Sequence, residues 1–141
     1  MQVATVDHSD VMSTAYERLN AGDVDGFGEL VADDFVEHEE LPVPASGKEG
    51  VLELFRMLRR AFPDMAMSVE DCIVSGDKAV ARVRCTGTHQ GEFMGIPASG
   101  QRTDMQLIDI MRIEDGLIRE HWGVTDMLAL MQQIGAVPTP G

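Results

Sequence analysis

The chain has 141 residues, 44% of them hydrophobic and 25% charged, which is typical of one globular domain that buries a core without disulfides or metal. Eleven basic against 24 acidic residues give a formal net charge of −13, which argues against nucleic acid and anionic membrane surfaces as partners, because both attract basic patches. The N-terminus shows no signal-peptide pattern, and no stretch approaches the roughly 20 apolar residues of a membrane span. We therefore expect a cytoplasmic protein, a single domain over residues 1–141 with flexible ends at about 1–8 and 137–141.

The N-terminal third predicts two helices and a short strand. Apolar residues recur at helical spacing from Ser9 to Asn20, and either Asp7 or Ser9 is placed to cap this helix. Asp23 opens a second, short helix, and a strand at Phe35–His38 then runs into a loop.

The middle of the chain predicts one strong helix followed by long strands. A capping box at Ser46–Glu49 starts the helix, which ends at Pro63–Asp64. Two strands follow at about 65–74 and 78–89, and a glycine-punctuated loop at 91–100 leads into a final hairpin and a short helix. Helices first and antiparallel strands second indicate an α+β fold, with helices packed on one side of a curved sheet. Such a sheet encloses a pocket on its concave face, where ligand sites commonly lie.

The final hairpin places an acid and an imidazole on one face. Glu114-Asp115-Gly116 suits a three-residue loop with glycine in the left-handed conformation, and the matching register sets Asp109 opposite Gly123 and Met111 opposite His121. A two-residue loop would instead oppose Asp109 to Trp122. We prefer the first register because it forms favourable cross-strand pairs on the other face. These pairs are Arg112 with Glu120, Ile110 with Trp122 and Ile108 with Val124.

Several polar residues in apolar patterns have two readings. Asp109 is either a functional carboxylate or a structural one paired to a buried donor, because an unpaired buried charge is costly. His121 is either an imidazole that takes part in the chemistry or a core histidine whose ring nitrogens are hydrogen-bonded. Tyr16 either directs its hydroxyl into the cavity or packs in the core. Cys72 and Cys85 show no metal-site spacing and are expected to be buried free thiols in a reducing compartment.

Other polar clusters are weaker candidates for a site. The run Glu37-His38-Glu39-Glu40 contains metal-binding residue types, but strand alternation would separate them, so we expect no metal. His38 is either a group at the mouth of the pocket or a surface histidine. The 91–100 loop lacks the Lys-Ser/Thr of a phosphate-binding loop, and its Phe93 and Met94 suggest a lid or a dimer contact. Ten methionines would give the pocket a pliable wall suited to flat ligands.

The order of elements and a series of motifs resemble the SnoaL-like polyketide cyclases, also described as ester cyclases, of the nuclear-transport-factor-2-like superfamily. The matching segments cover nearly the whole chain in order. They are Asn20–Asp23, Phe35–His38, Phe62–Asp64, Gly87–Pro97, Gly116–Trp122 and Gln132–Gly135.

This resemblance implies a cone-shaped α+β barrel, in which a curved antiparallel sheet wraps around N-terminal helices, and a homodimer. It also implies a cofactor-free enzyme that closes a ring in a hydrophobic polyketide-like substrate by intramolecular aldol condensation. In the family, a carboxylate on the last strand removes a proton next to a carbonyl; that position falls here on Gly123, while the family's histidine matches His121. We hypothesise that Asp109 replaces the missing base, with His121 as its partner or as the acid.

The set of candidate residues is larger than the pair Asp109 and His121. His38 is a third catalytic candidate beside Asp109 and His121. The candidates for substrate binding are Tyr16, Trp122, Gly123, Phe93, Met94 and Met111. Two alternatives stay open, namely an isomerase or epoxide hydrolase using the same pocket, and a small-molecule-binding module that has lost the chemistry.

Overall fold

The structure is a computed structural model that describes residues 7–140. Of the ends expected to be flexible, residues 1–6 and 141 lie outside the described residues, whereas residue 8 already belongs to the first helix. The helices are α1 (His8–Asn20), α2 (Val24–Gly28), α3 (Gly47–Ala61) and α4 (Met127–Gln133). The strands are β1 (Val31–Glu37), β2 (Ala66–Ser75), β3 (Lys78–Thr88), β4 (Arg102–Glu114) and β5 (Leu117–Thr125).

The five strands form one sheet in the order β1-β5-β4-β3-β2. All neighbours are antiparallel except β1, which pairs parallel with β5. Helices α1 and α3 contact the sheet, and the core lies between them and the sheet. The expected α+β architecture is therefore confirmed. Within residues 7–140, no helix combines the length and the apolar character needed to cross a bilayer.

The helix starts follow the capping signals in two of three predicted cases. Asp7 accepts a hydrogen bond from the Ser9 backbone N–H at 2.9 Å at the start of α1, and Asp23 accepts one from the Gly26 N–H at 2.9 Å in α2, which satisfies free donors of the first turn. Ser46 is the N-cap residue of α3, but its side chain makes no capping hydrogen bond. The predicted capping box is therefore wrong in its bonding, although the helix begins where the motif indicated.

The predicted register of the β4–β5 hairpin is confirmed, but the predicted loop is wrong. Asp115 and Gly116 form a two-residue turn with φ values of 55° and 73°, the left-handed pair whose twist suits a tight hairpin. A bulge beyond Ile113 then leaves Arg119 unpaired and shifts the register by one residue. The shift brings Asp109 opposite Gly123, which is the predicted register.

The two cysteines differ in exposure. Both are free thiols, as predicted, and Cys85 is buried. Cys72 is exposed, which corrects the expectation that it is buried. The reason is its position on β2, an edge strand of the sheet, where nearly all residues are exposed.

Candidate active site

The concave face of the sheet and the helices that cover it enclose a cavity of about 160 Å³. Its wall is mostly apolar, and its polar residues include three from the end of β1 and from β4 and β5, namely Glu37, Asp109 and His121. The predicted methionine-rich wall is present in part. The methionines that line the cavity are Met65, Met67, Met105, Met111 and Met127.

Asp109 lies on β4 with a side chain only 13% exposed. Its Oδ1 atom is 2.7 Å from His121 Nε2, and its Oδ2 atom accepts a hydrogen bond from the Tyr16 hydroxyl. Burial, followed by the negative charge of Asp109, raises the pKa of Tyr16, so the phenol stays protonated as a donor. Both oxygens of the carboxylate are therefore held by donors from β5 and α1.

His121 lies between two carboxylates. Its Nδ1 atom is 2.6 Å from Glu37 Oε1, on the side opposite to Asp109. Burial disfavours the charged ring, but the hydrogen bonds and negative charges of Asp109 and Glu37 outweigh this cost and raise the pKa of His121 to about 10. His121 is thus an imidazolium at neutral pH, and both of its N–H groups are used to hold carboxylates.

Two acidic residues of the site, Glu37 and Glu39, were missed as site residues by the sequence analysis. β1 runs parallel to β5 and pairs Glu37 with His121. The Glu37 Oε1 atom also accepts the backbone N–H of Glu39 at 3.0 Å, and Glu39 Oε1 accepts a hydrogen bond from Thr125 Oγ1 at 3.2 Å. The sequence signal that indicates Glu37 is strand alternation. Phe35 is buried and points inward, and Glu37, two positions later on the same strand, lies on the same face.

Glu37, Glu39 and His121 offer ligand atoms that lie within 4.8 Å of one another. This geometry corrects the argument that alternation separates the acidic run, since two of its members meet at the same place. A metal ion would require a neutral imidazole with a free lone pair. The raised pKa of His121 and its two carboxylate partners oppose that state.

Gly123 is a glycine because the space beside it is filled. A Cβ atom added there would lie 2.6 Å from Glu39 Oε2 and 2.7 Å from His121 Cε1, closer than such atoms approach in proteins. The absent side chain therefore makes room for the Glu39 carboxylate and the His121 ring.

His38 and Trp122 lie on the outer face of the sheet rather than in the cavity. Their rings stack with centroids 4.7 Å apart and an interplanar angle of 6°, and His38 Nε2 is 2.7 Å from Glu120 Oε2. The reason is that side chains alternate between the two faces of a sheet. His38 follows Glu37, and Trp122 follows His121, and both Glu37 and His121 point inward. The structure thus separates His38 and Trp122 from Asp109.

The other predicted binding residues divide between the cavity and the surface. Tyr16, Met111 and Phe93 line the cavity, and Phe93 is 1% exposed and packs edge-on against Phe62. Met94 is 50% exposed and adopts a φ of 50° in a turn, so it lies outside the cavity.

Comparison with known proteins identifies the family. The family model described as SnoaL-like polyketide cyclase matches residues 9–134. The chain belongs to this family. The matches support an enzyme of the cyclase type, and the fold of this SnoaL-like protein agrees with the cone-shaped barrel that the resemblance implied.

Individual relatives extend over most of this SnoaL-like chain. The aklanonic acid methyl ester cyclase DauD of Streptomyces sp. (strain C5) is 29% identical over 135 residues, which cover 93% of this chain and 84% of the relative. The solved structure of TsrD from Streptomyces laurentii is 34% identical and covers 94% of this chain and 100% of its own, with a TM-score of 0.84. IdmH from Streptomyces antibioticus is also 34% identical and covers 90% of this chain and 97% of its own, with a TM-score of 0.78.

Proposed function

We propose that this protein is a cofactor-independent cyclase that closes a ring in a hydrophobic, polyketide-like carbonyl compound by intramolecular aldol-type addition. The observation that carries the proposal is the Asp109–His121 pair, joined at 2.7 Å, at the wall of an apolar cavity. Proton transfer next to a carbonyl needs a positioned base and a positive group near the developing negative charge. The pair supplies both.

In the proposed reaction, Asp109 removes a proton from the carbon next to a carbonyl. The electron pair of the broken C–H bond forms an enolate, whose carbon then bonds to a second carbonyl carbon of the same molecule. The π pair of that carbonyl moves to its oxygen, which takes up a proton, so the addition loses no atoms. The positive charge of His121 offsets the enolate charge in surroundings of low dielectric.

The geometry favours His121 as the partner of Asp109 rather than as the direct acid. Both ring nitrogens are bonded to carboxylates, Nε2 to Asp109 and Nδ1 to Glu37. A direct proton transfer from His121 to substrate would break one of these bonds. The Tyr16 hydroxyl, bonded to Asp109 Oδ2, helps to orient the base.

A small-molecule-binding module is the second candidate, favoured by Gly123 at the position where the family resemblance places a carboxylate. An isomerase or an epoxide hydrolase would use the same acid–base pair and stays within the first class.

The homodimer and the cytoplasmic location also stay predictions. Light scattering after size-exclusion chromatography tests the dimer.

The test uses aklanonic acid methyl ester, because DauD, a relative of this chain, is named for its cyclisation. We expect the unmodified protein to convert this compound to a ring-closed isomer of equal mass, separated by liquid chromatography. Asp109→Asn should lower the rate by about 100-fold or more. The control is Asp104→Asn on the same strand, at an exposed position paired with Arg84. Ligand binding without conversion would favour the binding module.

A further inference from the structure

We propose that Glu39 is the general acid of this site, which protonates the alkoxide oxygen formed when the ring closes. The inference rests on the proposed cyclase reaction and assigns a residue to the one proton transfer that the Asp109–His121 pair does not perform. Glu39 lies in the loop after β1, and it lines the cavity.

The first argument is the position of the Glu39 carboxylate. Its Oε2 atom lies 2.6 Å from the place that a Cβ on residue 123 would occupy, so the carboxylate fills the space that the glycine leaves. Gly123 is paired directly with Asp109 across β4 and β5. The two carboxyl groups therefore lie near each other on the cavity side of the sheet, and both line the cavity.

The second argument is hydrogen bonding. Two hydrogen bonds hold Glu39 in place. Its backbone N–H donates to Glu37, and its Oε1 atom accepts a hydrogen bond from Thr125. Among residues 7–140, the Oε2 atom has no hydrogen-bond partner. Both oxygens of Asp109 are held by donors. Glu39, in contrast, has one oxygen free to contact a substrate.

The third argument is the electrostatic setting. The charged groups that face Glu39 are Glu37 on β1, Asp109 on β4 and His121 on β5. Burial raises the pKa of Glu39, and the negative charges of Asp109 and Glu37 act in the same direction, while His121 and the Thr125 hydrogen bond act against them. The net effect is a pKa above the usual value of a glutamate, which shifts the carboxyl group toward the protonated form that a proton donor needs.

The proton transfers balance within the site. Asp109 becomes protonated when it takes the α-proton, and the new carbon–carbon bond turns the second carbonyl into an alkoxide. The O–H bond of neutral Glu39 breaks, its proton goes to the alkoxide, and Glu39 becomes a carboxylate. The proton on Asp109 then passes to Glu39 beside Gly123, which restores both groups without any further reactant.

The experiment separates the first proton transfer from the last one. Aklanonic acid methyl ester is incubated in D₂O, and mass spectrometry and NMR follow two events, exchange of the α-proton for deuterium and ring closure. The unmodified protein should show both events above the rate in buffer. Glu39→Gln should keep α-proton exchange within about twofold and lower ring closure by about 100-fold. Asp109→Asn should lose both.

Glu17→Gln is the matched control, because Glu17 is exposed on α1, and it should leave both rates unchanged. Glu39→Asp keeps the carboxyl group and should retain more ring closure than Glu39→Gln, which separates lost chemistry from a disturbed loop. Full ring closure by Glu39→Gln, or joint loss of exchange and closure, would overturn the role of Glu39. Absence of both events in the unmodified protein would instead refute the proposed cyclase function, and the assignment of Glu39 would fall with it.

Discussion

Raising the pH from about 7 to about 10 should destabilise this protein mainly through the His121 side chain. The ring is 13% exposed and lies between Asp109 and Glu37, which accept its two N–H groups at 2.7 and 2.6 Å. These carboxylates raise the pKa of His121 from 6.5 to about 10. The folded protein thus holds a proton on His121 that the unfolded chain has released in this pH interval.

The sign and size of the effect follow from this difference in bound protons. Stabilisation by His121 is fully present below pH 6.5 and is lost as the pH rises through about 10. Stability then falls by up to about 1.4 kcal/mol per pH unit, or about 4 kcal/mol between pH 7 and pH 10. A loss of this size is a large fraction of the total stability of a domain, roughly 5–15 kcal/mol.

The assay is urea unfolding of the unmodified protein and of His121→Gln at a series of pH values. The comparison with His121→Gln is needed because Cys85 also contributes to the pH dependence of stability. Burial raises the pKa of Cys85 to about 11, which adds its own loss of stability above pH 9. We expect the difference in the free energy of unfolding between the two proteins to shrink steadily as the pH rises. His38→Gln, on the outer face, should keep the pH dependence of the unmodified protein.

An NMR titration of the His121 ring gives the direct check. A ring that titrates near 6.5 in the folded protein would refute the reasoning, because the two carboxylates would then provide no net stabilisation of the charged form. A difference in unfolding free energy that stays constant from pH 7 to about pH 10 would refute it equally.

Two substitutions test the groups around this pair. Tyr16→Phe removes the donor to Asp109 Oδ2 and should lower the free energy of unfolding by about 1–3 kcal/mol in urea, because a buried acceptor loses its partner, and should also slow ring closure. Gly123→Ala places a methyl group against Glu39 and His121 and should cost about 1–3 kcal/mol of stability, together with most of the ring-closing activity, measured with the same substrate.

Val124→Ala is the control for Gly123→Ala, since Val124 is the next residue on β5 and is 76% exposed. It should change stability by less than about 0.5 kcal/mol. A stable and active Gly123→Ala protein would show that Glu39 and His121 do not need a residue without a side chain at position 123. For Tyr16→Phe, unchanged stability and unchanged activity would remove the tyrosine from the site.

The local sequence predicted the helices, the strands after α3 and the hairpin register correctly, because these depend on neighbours along the chain. The first strand was predicted at Phe35–His38 but spans Val31–Glu37. Apolar periodicity located the helices, and alternation of inward and outward side chains set Asp109 opposite Gly123. The loop was predicted wrongly in length, yet the register held, because a bulge on β5 compensated for the shorter turn. Patterns of this kind carry no information about which distant strand becomes a neighbour.

Asp109, His121 and Gly123 were therefore identified by the sequence alone, since their hairpin is local. The tertiary structure decided the rest of the site. Parallel pairing of β1 with β5 brings Glu37 to His121 from 84 residues away, and packing of α1 on the sheet brings Tyr16 to Asp109 from 93 residues away. The same pairing sends His38 outward to Trp122. Strand order is set by how the whole sheet covers the helices, and no short segment of the sequence encodes it.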